Sequence, residues 1–115
     1  MPKVYKYSLG FPGPWSYTQS AWIPASGLVL SIGMQGHELM LWALVDTLRP
    51  QLERSFLITG TGVDLPALSG RLGVFVGTLH HAGPDNRLYV WHVFELVDAA
   101  ASSPIFPNAS PAKEA

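Results

Sequence analysis

The longest uncharged segment of this sequence, residues 7–37, contains no Asp, Glu, Lys or Arg. Surfaces that face water are rarely free of charge over such a length, whereas interfaces are depleted in charge and enriched in aromatic residues. The segment carries the large aromatic residues Trp15, Tyr17 and Trp22. We therefore expect it to be covered by the rest of its own fold, by another subunit or by a ligand.

The composition limits both the fold and the class of protein. The chain has 115 residues and no cysteine, which predicts one domain without disulfides or thiolate metal ligands. It also has 11 Gly and 10 Pro, which favours many turns over long helices. The net charge of −1 argues against nucleic-acid binding, because proteins that bind nucleic acids carry a surplus of basic residues.

No part of the sequence indicates membrane insertion or export. It has no apolar run of the roughly 18 residues that a membrane-spanning helix needs, and residues 1–10 lack the apolar core of a signal peptide. Beyond Asp98 the composition changes to Ala, Ser and Pro, which is typical of a tail. We therefore predict a single domain over residues 1–98, a tail over 99–115 and no contact with membranes.

Apolar residues recur at every second position in much of the domain, which is the period of a β-strand. Strands are predicted over residues 4–9, 28–34, 38–45, 54–59, 72–79 and 87–97. The apolar run at 38–45 also fits a buried helix, but the short Gly-containing turn before it favours a hairpin. The last two strands form the clearest hairpin, in which His92 lies near Gly77.

These strands predict a mainly β fold, a small antiparallel β-sandwich or barrel of about six strands. Residues 64–70 offer at most one short helical turn, because Asp64 can cap it, Pro66 fits its first turn and Gly70 can end it.

Four short blocks of the chain resemble a family of short uncharacterised proteins that is common in tailed-phage and prophage genomes. The blocks are YKY at 5–7, LWALVD at 41–46, GTG at 60–62 and HVFE at 92–95. Family members commonly have a His after the GTG block, where this chain has Val63. The family is a domain of unknown function, so the resemblance implies only a context: a small phage accessory protein that acts in the cytoplasm of a host bacterium.

Gly60-Thr61-Gly62 is the sequence most typical of a binding site. Two glycines that flank a threonine directly after a strand can turn backbone N–H groups inward as an anion-binding nest, with the threonine hydroxyl as a further donor. The segment lacks the lysine and the following helix of a P-loop. A tight glycine turn without a ligand explains the same residues, and both interpretations stay open.

The other predicted ligand contacts are cationic or aromatic. Arg54 and Arg71 lie on either side of the glycine segment in sequence, and an arginine fork binds phosphate or carboxylate, although solvated charges at strand ends explain them too. Trp15 and Tyr17 fall in a loop rich in Gly and Pro, where a rigid ring can stack on a base or contact a protein. His92 is a further candidate, with a hydrogen-bonded histidine in the core as the alternative.

Nothing in the sequence assembles a catalytic or metal site. The four histidines have no metal-ligand spacing, the acidic residues have no visible partner, and no serine has the Gly-x-Ser-x-Gly setting of a hydrolase. We therefore predict a protein that is not an enzyme and that holds neither a cofactor nor a metal.

Two functions remain open. The first is a binder that sequesters a small nucleotide-derived signalling molecule, cyclic or phosphate-containing, and so counters a host defence. Its site would combine Gly60-Thr61-Gly62, Arg54 and the loop that carries Trp15, with residues 7–37 as the interface of a homo-oligomer. The second is a protein–protein interaction module of a virion or regulatory complex, which has no small-molecule ligand and uses the same uncharged aromatic surface.

Overall fold

Seven β-strands form in residues 1–99, the part of the chain that the computed structural model describes. They are β1 (Pro2–Ser8), β2 (Tyr17–Pro24), β3 (Leu28–Gln35), β4 (Glu38–Asp46), β5 (Gln51–Gly60), β6 (Arg71–Ala82) and β7 (Leu88–Asp98). The predicted tail over 99–115 lies outside the described residues, apart from Ala99. Within residues 1–99 no helix is long and apolar enough to cross a membrane.

The strands form two antiparallel sheets. One has three strands in the order β1-β4-β3, and the other has four in the order β2-β5-β7-β6. Side chains of β4 pack against those of β5 and β7 from the opposite sheet, and neither sheet closes on itself. The predicted mainly β fold is therefore confirmed, in its sandwich form.

The core lies between the two sheets and follows from the alternation of apolar residues along β4. Every second residue of β4 faces inward, and these four side chains are at most 1% exposed: Leu39, Leu41, Ala43 and Val45. They pack against Phe56 and Ile58 of β5 and Val93 of β7, which are fully buried. Burial of each large apolar side chain contributes roughly 1.5–3 kcal/mol, so this layer supplies much of the driving force for folding.

One strand, β2, was not predicted from the sequence. Tyr17, which the sequence analysis places in a loop, is the first residue of β2 and pairs with Ile58. Ala21 and Ile23 of this strand are in the core, whereas Trp22 between them faces solvent. Part of the uncharged segment is therefore covered by its own fold.

The helical turn that the sequence allowed over residues 64–70 does not form. Since β5 and β6 both pair antiparallel with β7, they run in the same direction, and residues 61–70 must return along the length of the sheet. An extended chain rises about 3.3 Å per residue and a helix about 1.5 Å. Only an extended segment of this length spans the sheet.

A β-bulge at Val76 shifts the register between β6 and β7 by one residue. His92 consequently pairs with Thr78, one position beyond the Gly77 that the sequence analysis placed near it. An extra residue in one strand of a pair re-aims the side chains that follow it. The bulge thereby decides which hydroxyl the His92 ring can reach.

The core predicts a large effect of Phe56→Ala. Because Phe56 is fully buried, its truncation leaves a cavity, and we expect the free energy of unfolding to fall by about 3–5 kcal/mol in urea denaturation followed by circular dichroism. The control is Leu48→Ala in the turn between β4 and β5, where the side chain is 86% exposed and the change should stay within about 0.5 kcal/mol. Equal effects of the two substitutions would contradict this core.

Candidate functional site

The glycine segment forms a tight turn at the end of β5. The Val63 N–H donates to the Gly60 carbonyl oxygen at 3.2 Å, and Gly62 has a φ of 80°, a backbone conformation that favours glycine. Thr61 is exposed within this turn. The turn therefore presents the Thr61 hydroxyl beside β7.

His92 lies between two threonine hydroxyls. Its Nε2 is 2.8 Å from Thr61 Oγ1, and its Nδ1 is 2.9 Å from Thr78 Oγ1. The ring is half-buried on the outer face of the four-stranded sheet, because its neighbours Trp91 and Val93 take the inward positions of β7. His92 is thus hydrogen-bonded, as the sequence analysis allowed, but it does not lie in the core. It joins the glycine turn to β6 and β7.

A cleft of about 350 Å³ opens beside this turn, at the end of the sandwich where β6 and β7 are joined. Its central feature is the stacked pair Tyr89 and Trp91, whose ring centroids are 5.5 Å apart with planes inclined by 11°. We call it the aromatic cleft, and its lining residues are Pro12, Gly13, Pro14, His81, Gly83, Pro84, Asp85, Tyr89 and Trp91.

Asp85 supplies the negative charge of the aromatic cleft. Its carboxylate accepts a hydrogen bond from the Tyr89 hydroxyl at 2.5 Å and another from the Arg87 N–H at 3.0 Å. The bond from Tyr89 lowers the pKa of Asp85, and it raises the pKa of Tyr89 in return. The cleft therefore carries an ionised carboxylate at neutral pH.

A second cavity, of about 400 Å³, links the aromatic cleft to the glycine turn. It shares Pro14, Tyr89 and Trp91 with the cleft, and Gly60 and Thr61 line its other side. The structure thus brings the predicted glycine segment together with a stacked aromatic pair that the sequence analysis had not selected as a site. Tyr89 and Trp91 are two positions apart on one strand, and this spacing places them on the same face.

Trp15 and Tyr17 have different roles from each other. Trp15 is 77% exposed and lines a third cavity, of about 340 Å³, which also includes Pro14. The Tyr17 hydroxyl instead donates to the Leu9 carbonyl oxygen at 2.7 Å, and burial raises the pKa of Tyr17 to about 12. Trp15 therefore remains a candidate contact, while Tyr17 holds the two ends of the loop between β1 and β2 together.

The two arginines of the predicted site lie elsewhere. The Arg54 guanidinium binds the Glu95 carboxylate through Nε at 2.6 Å and Nη2 at 2.8 Å, and its Nη1 donates to the Gly27 carbonyl oxygen at 2.6 Å. The hydrogen bonds to Glu95 raise the pKa of Arg54. Arg71 begins β6 and donates to a carbonyl of the loop before it at 3.0 Å. Arg54 therefore joins strands and loop, and neither arginine lines the two connected cavities.

The Arg54–Glu95 pair predicts a measurable coupling energy. Its side chains are only 23% and 16% exposed, so Glu95→Gln should lower the free energy of unfolding by about 2 kcal/mol. A double-mutant cycle with Arg54→Gln, measured by urea denaturation, should show non-additivity. Arg87→Gln is the control, since that arginine side chain is 79% exposed, and its effect should stay within about 0.5 kcal/mol. An additive cycle would show that Arg54 and Glu95 do not stabilise the fold through each other.

The comparisons with known proteins identify a family without a known activity. Comparison with the curated proteins and with the solved structures gave no significant match. Residues 1–103 match the family described as a domain of unknown function (DUF7352). This chain therefore belongs to that family.

Proposed function

We propose that the protein is a non-catalytic binder of a small molecule that carries a planar ring, and that the aromatic cleft and the second cavity are its site. The carrying observation is that the two cavities share the stacked pair Tyr89 and Trp91. Their volumes, about 350 and 400 Å³, fall in the range of small-molecule sites. Aromatic walls with few polar groups favour a flat, largely apolar ligand.

The specific form of this proposal is a nucleotide-derived signalling molecule. Its base would stack in the aromatic cleft, and its sugar or phosphate would extend towards Thr61 and Gly62, where backbone N–H groups are the available donors and the Thr61 hydroxyl is already hydrogen-bonded to His92 Nε2. Arg54 does not serve as the cation, since it is bound to Glu95 about 20 Å along β5 from the turn. A phage accessory protein that acts in the cytoplasm of a host bacterium would use such a site to remove a defence signal.

A thermal-shift panel tests this function. The panel contains free bases, nucleosides, and linear and cyclic nucleotides, each in large excess over the protein. A ligand at one hundred times its dissociation constant stabilises the fold by about 2.7 kcal/mol, and the shift should disappear in Tyr89→Ala. Trp22→Ala is the matched control, because Trp22 is exposed on another surface and should leave the shift intact. If no member of the panel shifts the transition, the nucleotide proposal is wrong.

The second candidate function, protein–protein interaction, rests on the outer face of the three-stranded sheet. Val4, Leu44 and Leu28 lie directly opposite one another across β1, β4 and β3, and they are 55%, 39% and 59% exposed. A row of exposed apolar residues across a whole sheet is typical of an interface, and a homo-oligomer is the simplest assembly that would cover it.

Leu44→Lys tests this interface. A charge in the middle of the row should prevent association, so the wild-type chain should sediment as an oligomer at micromolar concentrations and the variant as a monomer. Leu48→Lys introduces the same charge at the exposed turn after β4 and should leave the oligomer unchanged. A wild-type chain that sediments as a monomer over the whole concentration range would exclude a homo-oligomer.

A further inference from the structure

Two histidine rings meet at the rim of the aromatic cleft. His37 lies in the turn between β3 and β4 and is exposed, whereas His81 lies near the end of β6 and is half-buried. His37 Nδ1 is 3.1 Å from His81 Nε2, and the ring centroids are 5.3 Å apart. The residues are 44 positions apart in sequence, so no spacing in the sequence indicates the pair.

We propose that His37 and His81 form a binding site for a divalent transition-metal ion of the nickel, copper or zinc class. Imidazole nitrogens are preferred ligands of these ions. Two metal–nitrogen bonds of about 2.05 Å whose nitrogens lie 3.1 Å apart enclose an angle of about 100°. That angle lies between the octahedral and tetrahedral values, so the distance between the two nitrogens suits a shared metal ion once each ring turns its lone pair from the other nitrogen towards the ion.

The site has two protein ligands and is therefore open. Among residues 1–99 no third His, Cys, Asp or Glu lies close enough to complete it. Water fills the remaining positions, or the same histidine pair of a second copy does so across a two-fold axis. An open site binds more weakly than a four-ligand structural site, but it leaves coordination positions free for another molecule.

Metal binding would break the contact between His81 and Trp91 in the wall of the aromatic cleft. Trp91 Nε1 lies 3.5 Å from His81 Nδ1, and because an indole N–H only donates, this contact leaves the proton of the neutral His81 ring on Nε2. A metal at Nε2 moves that proton to Nδ1 and ends the contact with Trp91. Since 3.5 Å is long for a hydrogen bond, the loss is small, and the change at the indole reports metal binding.

Isothermal titration calorimetry of the untagged full-length chain tests the site with Ni²⁺, Cu²⁺ and Zn²⁺ alone. We expect saturable binding, with Cu²⁺ tightest, at one ion per chain or at one ion per two chains where a second copy completes the site. His37→Gln and His81→Gln should each weaken binding at least tenfold. His80→Gln is the matched control, because it removes an exposed histidine of the same strand whose side chain points to the opposite face.

Nuclear magnetic resonance of the imidazole groups gives a second measurement, which identifies the ligand residues one by one. Zn²⁺ should shift the ring signals of His37 and His81 and leave those of His80 and His92 unchanged. The absence of saturable binding would overturn the proposal. Equal weakening by all three glutamine variants would also overturn it, since it would indicate scattered surface binding, and circular dichroism establishes that each variant is folded.

Discussion

The structure depends on the burial of both faces of β5. Four consecutive residues of this strand, Phe56, Leu57, Ile58 and Thr59, are at most 6% exposed, although successive side chains of a strand point to opposite faces. Phe56 and Ile58 fill the space between the sheets, and β5 itself lies between β2 and β7 within its sheet. Because β5 is packed on both faces and paired along both edges, the glycine turn at its end and Arg54 near its start have defined positions. The candidate site beside the turn is held in place by the same strand.

The parts of the fold that could be predicted are those in which one face of a strand differs strongly from the other or in which a turn is obvious. The short turn before the apolar run at 38–45 predicts a strand rather than a helix. The run forms β4, so this prediction is confirmed. In β2 the contrast is weak, since Thr18 and Ser20 alternate with Gln19 and the small Ala21, so periodicity could not reveal it. Gly73 and Gly77 in β6 indicate close packing or a bend in that strand, but the position of the bulge at Val76 arises from the fit between two whole strands.

The candidate site shows the same division. Gly60-Thr61-Gly62 and His92 were selected from the sequence, and the structure brings them together. Arg54 was selected for its chemistry, but its partner depends on register: Phe56 pairs with Glu95, which places the carboxylate beside Arg54 from 41 positions away. The sequence indicates which side chains can bind an anion, whereas the pairing of strands decides which of these side chains are already bound to another residue.

The uncharged segment 7–37 contributes to several places rather than to one surface. Leu9, Ala21 and Ile23 are buried in the core, while Leu28 belongs to the exposed row on the three-stranded sheet. Charge is therefore missing for at least two reasons. Inward positions exclude charge because a buried charge without a partner is costly, and outward positions that lack it leave apolar surface that a partner would have to cover.

The charge of the aromatic cleft decides which ligands it accepts. Among its described lining residues Asp85 is ionised and no Lys or Arg is present, and Arg87, whose Nε lies 4.0 Å from the Asp85 carboxylate, is an exposed side chain outside the lining. The cleft alone therefore favours a neutral or cationic ring over a phosphate. A divalent ion on His81, which lines the same cleft, would reverse the sign of the charge at its rim and offer free coordination positions to a phosphate oxygen. Preference for a nucleotide over its nucleoside would then depend on the metal as well as on the backbone donors of the glycine turn, whereas preference for the ring would not depend on the metal.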